Sequence, residues 1–445
     1  MSDARDARLP FLPTGRGAPL HVARAEGCWL ETREGHRILD AAGGAILVNV
    51  GHGRREVAEV VARALEEVTY VVPVFATEHR LRLVERLVDR WLPAGLGRVY
   101  LTSGGSESMD AALRLVRQHH VSAGRPERWK ILGRELSYHG TTLATLAVGG
   151  HAKRRAGFEP LLLDLPKAPA CYCLRCPLGL RYPDCRVACA DEVERAIERA
   201  GPESVAAFVA EPIGGSTAGA LVPPPEYWQR VAEICRRHGV LLVMDEVMTG
   251  FGRTGRRFAV EHFGITPDVL VGGKGLTGGY APLGAVFASE AVVAPIAERG
   301  DDFMYYTYGA HPASCAAADR VLEILEREDL VRRAAQMGEK LRAALAPLER
   351  HPHVAEVRGL GLLQAVELVR DRATLEPFPA AARVGQRVVV EGILRGVFFY
   401  PGGVDPARDV VCLGPPFVVS DAEIETIARV LAESIDAAVA GAKAS

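Results

Sequence analysis

Apolar residues in the middle of the chain fall into short runs that alternate with stretches of helical spacing. The runs are rich in Val, Leu and Ile and are bounded by polar residues or glycine, which indicates buried strands. Because strands that alternate with helices form a mostly parallel sheet covered on both faces, the pattern predicts an α/β domain. The predicted strands are 98–102, 129–132, 205–210, 240–244 and 269–271, and the clearest helices are 107–121 and 227–238.

The two ends of the chain follow other patterns. Residues 1–20 contain three prolines and two glycines, and predict an extended arm that lies on another surface. Residues 27–40 alternate about Gly35 as a hairpin does, and residues 354–368 also alternate. The helices predicted in these outer regions are 54–71, 78–92, 331–348, 383–392 and 422–438.

These patterns divide the chain into a large and a small structural unit. Residues 1–70 are expected to form the arm and part of a small α+β domain, and residues 71–328 a large domain. Residues 329–445 are expected to complete the small domain. The length of 445 residues fits two or three such units.

The composition is that of an ordinary soluble protein, with 48% hydrophobic and 24% charged residues. A net charge of -2 gives no electrostatic reason to expect nucleic acid or an acidic membrane as a partner. The first residues are charged, unlike a secretory signal, and no apolar run approaches the ~20 residues that a membrane span needs. We therefore expect a cytoplasmic protein.

Lys274 stands in the most distinctive stretch of the sequence. The apolar run 269–271 leads into a turn in which five glycines surround this lysine. A lysine placed there would be desolvated, which lowers its pKa and favours the nucleophilic neutral amine. The alternative is a surface lysine in a glycine-rich loop, and this stretch alone does not decide between the two.

A second candidate is the turn Gly104-Gly105-Ser106, which follows a predicted strand and opens a predicted helix. Exposed amides and the positive end of the helix dipole can hold a phosphate there. Taken alone, the turn favours the alternative of an ordinary strand–helix connection with a serine cap. It is not a GxGxxG, and Gly273-Lys274-Gly275 is not a Walker A motif, so a nucleotide-dependent oxidoreductase is disfavoured.

Asp245 follows the wholly apolar run 240–244, so its carboxylate is expected to be partly desolvated and to need a cationic partner. A protonated pyridine nitrogen would serve, and a structural ion pair with an arginine is the alternative. A phosphate-binding turn, an aspartate and a lysine are together what pyridoxal phosphate (PLP) requires.

The residues from 245 to 255, Asp-Glu-Val-Met-Thr-Gly-Phe-Gly-Arg-Thr-Gly, carry a family resemblance. With Lys274 twenty-nine residues after Asp245, they resemble the class III PLP-dependent aminotransferases of fold type I. The likeness extends from about Gly27 to Ile427. It implies a large PLP-binding domain with a mostly parallel seven-stranded sheet, and a smaller α+β domain built from both chain ends.

The resemblance also implies an activity. Such an enzyme moves an amino group from an ω-amino acid, a primary amine or an amino acid to a 2-oxo acid, pyruvate or 2-oxoglutarate, with ping-pong kinetics. Decarboxylases, aminomutases and epimerases of the same family share these residues and remain the alternative. Arg408 and Arg395, which precede the closing segment 410–417, are the candidates for binding a substrate carboxylate.

Site roles follow from the same resemblance. Lys274 corresponds to the Schiff-base lysine that also moves the substrate proton, and Asp245 to the partner of the pyridine nitrogen. Thr307 corresponds to a residue that reaches the phosphate of a neighbouring subunit, which implies a homodimer with shared sites, or a tetramer. The other residues expected beside the cofactor are Gly104, Gly105, Ser106, Tyr138, His139, Glu211 and Val247. Met248 departs from the usual residue, and we expect no contact between it and the reacting groups.

Five of the nine cysteines fall between residues 171 and 189, inside a loop assigned to 168–190. One interpretation of this cluster is a site for zinc or an iron–sulfur cluster, and the other is a set of packed free thiols. Because the spacing matches no common site well, we favour packed free thiols and predict no metal site.

Overall fold

A seven-stranded sheet forms the centre of the computed structural model, which describes residues 20–72 and 74–443. The strand order is β4-β10-β9-β8-β7-β5-β6, and within this sheet β10 alone runs in the direction opposite to the other six strands. Most positions of the central strands are buried, as expected for a sheet covered on both faces. The strands are β4 (Leu96–Thr102), β5 (Lys130–Arg134), β6 (Lys167–Ala168), β7 (Val205–Ala210), β8 (Leu241–Asp245), β9 (Val269–Gly272) and β10 (Gly284–Ser289).

Two smaller four-stranded sheets lie outside this one. The first has the order β1-β2-β3-β13, and its last strand comes from the C-terminal part of the chain and pairs parallel with β3. The second is antiparallel, in the order β11-β12-β15-β14. Their strands are β1 (Val22–Glu26), β2 (Trp29–Thr32), β3 (Arg37–Asp40), β11 (Val354–Leu360), β12 (Leu363–Leu368), β13 (Val397–Phe398), β14 (Tyr400–Val404) and β15 (Ala407–Leu413).

Helices fill the connections between strands. The longest described helix between two strands, α4, begins directly after β4 and packs on β9 and β10. The helices are α1 (Gly43–Ile46), α2 (Arg55–Glu67), α3 (Glu78–Arg86), α4 (Gly105–Ser122), α5 (Leu143–Val148), α6 (Ala152–Arg155), α7 (Ala188–Ala200), α8 (Tyr227–His238), α9 (Glu290–Arg299), α10 (Pro312–Arg327), α11 (Leu330–Leu345), α12 (Val384–Leu394) and α13 (Asp421–Lys443).

The predicted elements are present, with shifted ends. The helix predicted over 54–71 ends at Glu67, and the one predicted over 78–92 continues past Arg86 as a π-helical turn. Strands β6 and β10 were not predicted. The predicted arm, apart from Leu20, lies outside the described residues, and the domain boundaries at 70 and 328 stay a prediction.

Arg253 joins the separate parts of the fold. Its guanidinium is fully buried and donates to the Leu362 carbonyl (3.1 Å), the Pro415 carbonyl (2.7 Å) and Asn49 Oδ1 (2.6 Å). Burial lowers the pKa of this arginine to about 9. A buried cation needs such partners, so these bonds fix the N-terminal and C-terminal segments against the loop that follows β8.

None of the described helices is both long enough and apolar enough to span a membrane.

Candidate active site

A cavity of about 190 Å³ opens where five strands of the central sheet end. The carboxyl ends of β4, β5, β7, β8 and β9 lie at the same edge, so residues far apart in sequence meet there. The cavity is lined by Gly105, Ser106, Tyr138, His139, Gly140, Glu211, Ile213, Asp245, Val247, Met248, Thr249 and Lys274. Eight of the ten predicted site residues are therefore neighbours in space; Gly104 and Thr307 are not among them.

Lys274 enters the cavity from the turn after β9. Its backbone has φ of 40°, in the left-handed region that non-glycine residues rarely adopt, and a 3₁₀ turn begins there. Desolvation by the surrounding protein lowers the pKa of its amine to about 8, although Asp245 and Glu211 act in the opposite direction. The amine is thus partly neutral near physiological pH and can act as a nucleophile or a base.

Asp245 ends β8 and is almost fully buried. One carboxylate oxygen accepts from Val247 N at 3.0 Å, and the other lies 2.8 Å from His139 Nδ1. A histidine that donates from Nδ1 fixes the carboxylate without cancelling its charge. The sequence placed both residues beside the cofactor, and the structure adds the contact between them.

Glu211 follows β7 and is buried beside Asp245. Its oxygens accept from the backbone amides of Gly215 (2.8 Å) and Tyr138 (3.2 Å). Burial, the larger effect, and the charge of Asp245 both raise the pKa of Glu211. The site therefore holds two carboxylates near one amine, and each is oriented by backbone amides or a histidine.

The predicted phosphate turn lies at the N-terminus of α4. A Cβ added to Gly105 would stand 2.9 Å from Val247 Cγ1. Only a glycine therefore allows these two segments to lie so close together. Ser106 Oγ accepts from Thr141 N at 3.1 Å. Gly104 supports the turn from outside the cavity, since its carbonyl accepts from Ser108 Oγ at 3.0 Å.

Tyr138 forms one wall of the cavity and carries a cation on its ring. The Arg154 guanidinium lies 4.5 Å from the ring centroid, and Nη1 donates to the phenol oxygen at 3.4 Å. Burial raises the pKa of the Tyr138 phenol. The sequence gave no indication of Arg154, because only packing brings α6 beside Tyr138.

Sequence patterns did not indicate some of the other lining residues. Met248 lines the cavity with Ile213 and Thr249, and the expectation that it does not contact the reacting groups stays a prediction. Glu246, next to Asp245, serves the fold instead, since it accepts from Ala259 N and Val260 N, both at 2.8 Å. Its burial raises the pKa to about 7.

Thr307 is exposed and precedes α10, outside the cavity of its own chain. The substrate arginines suggested by the sequence are also engaged elsewhere. Arg408 Nε donates to Asp405 at 2.7 Å, and Arg395 pairs with Glu391 one turn earlier on α12.

The five clustered cysteines are free thiols, as are the other four. Cys171 and Cys189 place their sulfur atoms 3.4 Å apart, and a narrow cavity of about 20 Å³ is lined by Cys173, Cys176, Cys185 and Cys189 together with other residues of the loop. A hydrogen bond with Cys171 lowers the pKa of the Cys173 thiol to about 7. The described residues include no group of three or more His, Cys, Asp or Glu side chains that could hold a metal ion.

The cavity fits PLP by its own features. An amine, a carboxylate, a helix N-terminus and an aromatic face line one space, and the missing Cβ of Gly105 lets the N-terminus of α4 lie directly against Val247. His139 Nε2 is buried there with no hydrogen-bond partner among the described residues. Lys274 would attach the cofactor, Asp245 would face its ring nitrogen, and the N-terminus of α4 would hold its phosphate.

Comparison with known proteins agrees with this geometry. The sequence matches the aminotransferase class-III family over residues 13–435. The taurine–pyruvate aminotransferase of Rhodobacter capsulatus is 38% identical over 432 residues, which cover 95% of this chain and 91% of that protein. The structure resembles an (S)-enantioselective omega-transaminase from Thermomicrobium roseum, with a TM-score of 0.92 and 36% identity over 98% of both chains.

A third relative has been solved with a form of the cofactor. The omega transaminase from Pseudomonas jessenii in complex with PMP gives a TM-score of 0.93 at 29% identity, over 99% of this chain and 98% of that one. Fold, site and sequence thus agree, since enzymes of this family use PLP to transfer amino groups. The chain belongs to the class III aminotransferases and is a PLP-dependent transaminase of fold type I.

Proposed function

We propose that this transaminase moves an amino group from an ω-amino acid, a primary amine or an amino acid to pyruvate or 2-oxoglutarate, by a ping-pong mechanism. The supporting observation is that Lys274, Asp245 and the N-terminus of α4 meet at one cavity. Each meets a different need of PLP, namely covalent attachment, a counter-charge for the ring nitrogen and a phosphate site. The names of the relatives, which include taurine–pyruvate and omega-aminotransferases, support the choice of substrates.

Each residue of the cavity has its own role in the proposed reaction. PLP supplies, when bound, an electron sink that makes the C–H bond beside the substrate nitrogen acidic. The amine of Lys274 accepts the substrate proton and returns it, because its pKa of about 8 allows both states near neutral pH. The Asp245 carboxylate, held by His139 and Val247 N, would keep a proton on the ring nitrogen. Tyr138 and Val247 line the cavity and would confine the cofactor ring between them.

A panel of donors and acceptors tests this proposal. Taurine, β-alanine, a neutral primary amine and alanine would each be offered with pyruvate and with 2-oxoglutarate, and both products would be measured. We expect parallel double-reciprocal plots for the active pairs, as ping-pong kinetics require. Release of carbon dioxide, or product formed without any keto acceptor, would instead support the decarboxylase, mutase or epimerase alternative.

We also propose that the working unit is a homodimer in which Thr307 completes the site of the partner. The support is the exposed position of Thr307, away from the cavity of its own chain. Mixing Lys274→Ala chains with Thr307→Ala chains tests this arrangement. A mixed dimer would regain one intact site, so activity should rise above that of either parent. No rise, or a monomer in sedimentation, would contradict the proposal.

A further inference from the structure

A second cavity, of about 250 Å³, is lined by Arg154 and His151, which both lie against the Tyr138 ring of the cofactor cavity. Residues from α6, from the segment before α12 and from β14 and β15 line it, including His151, Lys153, Arg154, Arg383, Tyr400 and Arg408. The two cavities share no lining residue, but Arg154 lies against the Tyr138 ring and so touches the wall of the first. The positive charge of Arg154 also acts to lower the pKa of Lys274.

The cations of this second cavity outnumber its carboxylates. Four Lys and Arg side chains face two acids, Asp405 and Asp409. Asp405 is engaged by Arg408 at 2.6 Å, and Asp409 accepts from Gly385 N at 2.9 Å. Burial raises the pKa of Asp409, which favours its neutral form. Burial lowers the pKa of His151 to about 4, so this histidine adds no charge near neutral pH.

Arg154 is the cation best placed to receive an anion. It makes no ion pair with any described carboxylate, and its one side-chain hydrogen bond is the 3.4 Å contact with Tyr138. A guanidinium that rests on an aromatic ring keeps its planar edge free for a bidentate contact with a carboxylate. Arg408, in contrast, is committed to Asp405 and to the Phe378 carbonyl.

We propose that Arg154 binds the acidic group of the substrates, namely the carboxylate of a 2-oxo acid or the distal carboxylate or sulfonate of an ω-amino acid. Lys153 and Arg383 line the same cavity and would attract a second acidic group of a longer acceptor. This inference depends on the proposed transamination, because it names the residue that selects the substrates of that reaction.

Acceptors that differ only in charge test the inference. With a neutral primary amine as donor, pyruvate would be compared with propanal for the wild-type holoenzyme and for Arg154→Gln. Loss of a bidentate charged contact should raise the KM for pyruvate by about ten- to hundredfold, with kcat changed little. The KM for propanal should stay within about twofold, since its carbonyl chemistry needs no cation. Arg154→Lys should recover part of the affinity.

Two controls separate this effect from a loss of fold or cofactor. Arg195→Gln removes an exposed arginine of α7, outside both cavities, and should change neither KM. The wild-type enzyme offers a test without mutation, because salt should raise the KM for pyruvate and leave that for propanal unchanged.

The outcomes distinguish the two proposals. If the wild-type enzyme transfers amino groups but Arg154→Gln affects pyruvate and propanal equally, or neither, then Arg154 does not bind the acidic group. If no donor and acceptor pair is active at all, the proposed function itself fails.

Discussion

The cofactor cavity and the cysteine loop are the two places where the sequence concentrates reactive side chains, and they are built in opposite ways. The cavity collects an amine, two carboxylates, a histidine and a helix N-terminus from five separate strand ends. The loop collects five thiols from nineteen consecutive residues, with two sulfur atoms in contact at 3.4 Å.

The difference shows which kind of clustering indicates chemistry in this fold. In the cavity, unlike groups are oriented by backbone amides and by one another, and Lys274 has a pKa lowered to about 8. In the loop, neighbouring residues serve the packing, since Tyr172 and Arg175 both bind Glu367 of β12. The cavity is therefore organised around a reaction, and the loop is organised around its attachment to the C-terminal sheet.

The largest effect is expected at Asp245. Asn in its place would keep the shape of the side chain but lose the negative charge that keeps the ring nitrogen protonated. The kcat should therefore fall by about a hundredfold or more. The matched control is Asp268→Asn, because this carboxylate also serves β8, where it accepts from Leu242 N at 2.7 Å. Steady-state kinetics should show a change within about threefold for the control. Equal losses in both variants would remove the distinction between a reacting and a structural carboxylate.

A smaller effect is expected from Gly105→Ala. Its new Cβ would stand 2.9 Å from Val247 Cγ1, so the wall of the cavity must move, and affinity for PLP should fall by about tenfold. Gly104→Ala is the control, because nothing lies within 4 Å of the added Cβ and the backbone is extended there. Fluorescence titration of the apoproteins with PLP measures both. A comparable loss at Gly104 would show that the space beside Val247 is not what matters.

The rate at which the apoprotein captures the cofactor is expected to change by a few fold with pH. Only the neutral amine attacks, so the rate at which apoprotein captures PLP should rise as pH passes about 8, the pKa of Lys274. The charge of Glu211 raises that pKa, so Glu211→Gln should move the midpoint to lower pH. Stopped-flow absorbance across this range gives both midpoints. A wild-type midpoint near that of an ordinary lysine, or an upward shift in the variant, would contradict the electrostatics of the cavity.

The smallest effect is expected at the cysteine loop. Since no three ligating side chains of the described residues could share an ion, dialysis against a chelator should leave the Tm within about 1 °C. Elemental analysis should find well below one zinc or iron per chain. Stoichiometric metal, lost together with several degrees of Tm, would show that the loop is a metal centre.

The sequence predicted the site residues that follow buried strands, but not those that other packed elements bring to the cavity. Lys274 and Asp245 follow buried strands, and parallel strands bring such residues to one edge whatever the rest of the chain does. Arg154 could not be found this way, because its place depends on how α6 packs beside Tyr138 and β14. The sequence also does not show that Asp405 engages Arg408, because that pair depends on the turn between β14 and β15.

The fold shows the same division. Five strands were predicted from apolar runs, whereas β6 has only two residues and no such signal. Strand β10 follows β9 without an intervening α-helix, and it runs antiparallel, so the alternation of strands and helices does not anticipate it. Local sequence patterns thus predicted the strands that alternate with helices, whereas β6 and β10 form because of contacts with distant parts of the chain.

The most direct test of the account is to reduce the holoenzyme with borohydride and map the lysine that carries the cofactor. Lys274 and Lys167 make a stringent pair, because burial lowers the pKa of both to about 8. Lys167 donates to the Ala147 carbonyl at 2.9 Å and lies outside the cavity. We predict the phosphopyridoxyl group on the peptide that contains Lys274, and none on Lys167. Labelling of Lys167, or of any lysine other than Lys274, would contradict the central claim.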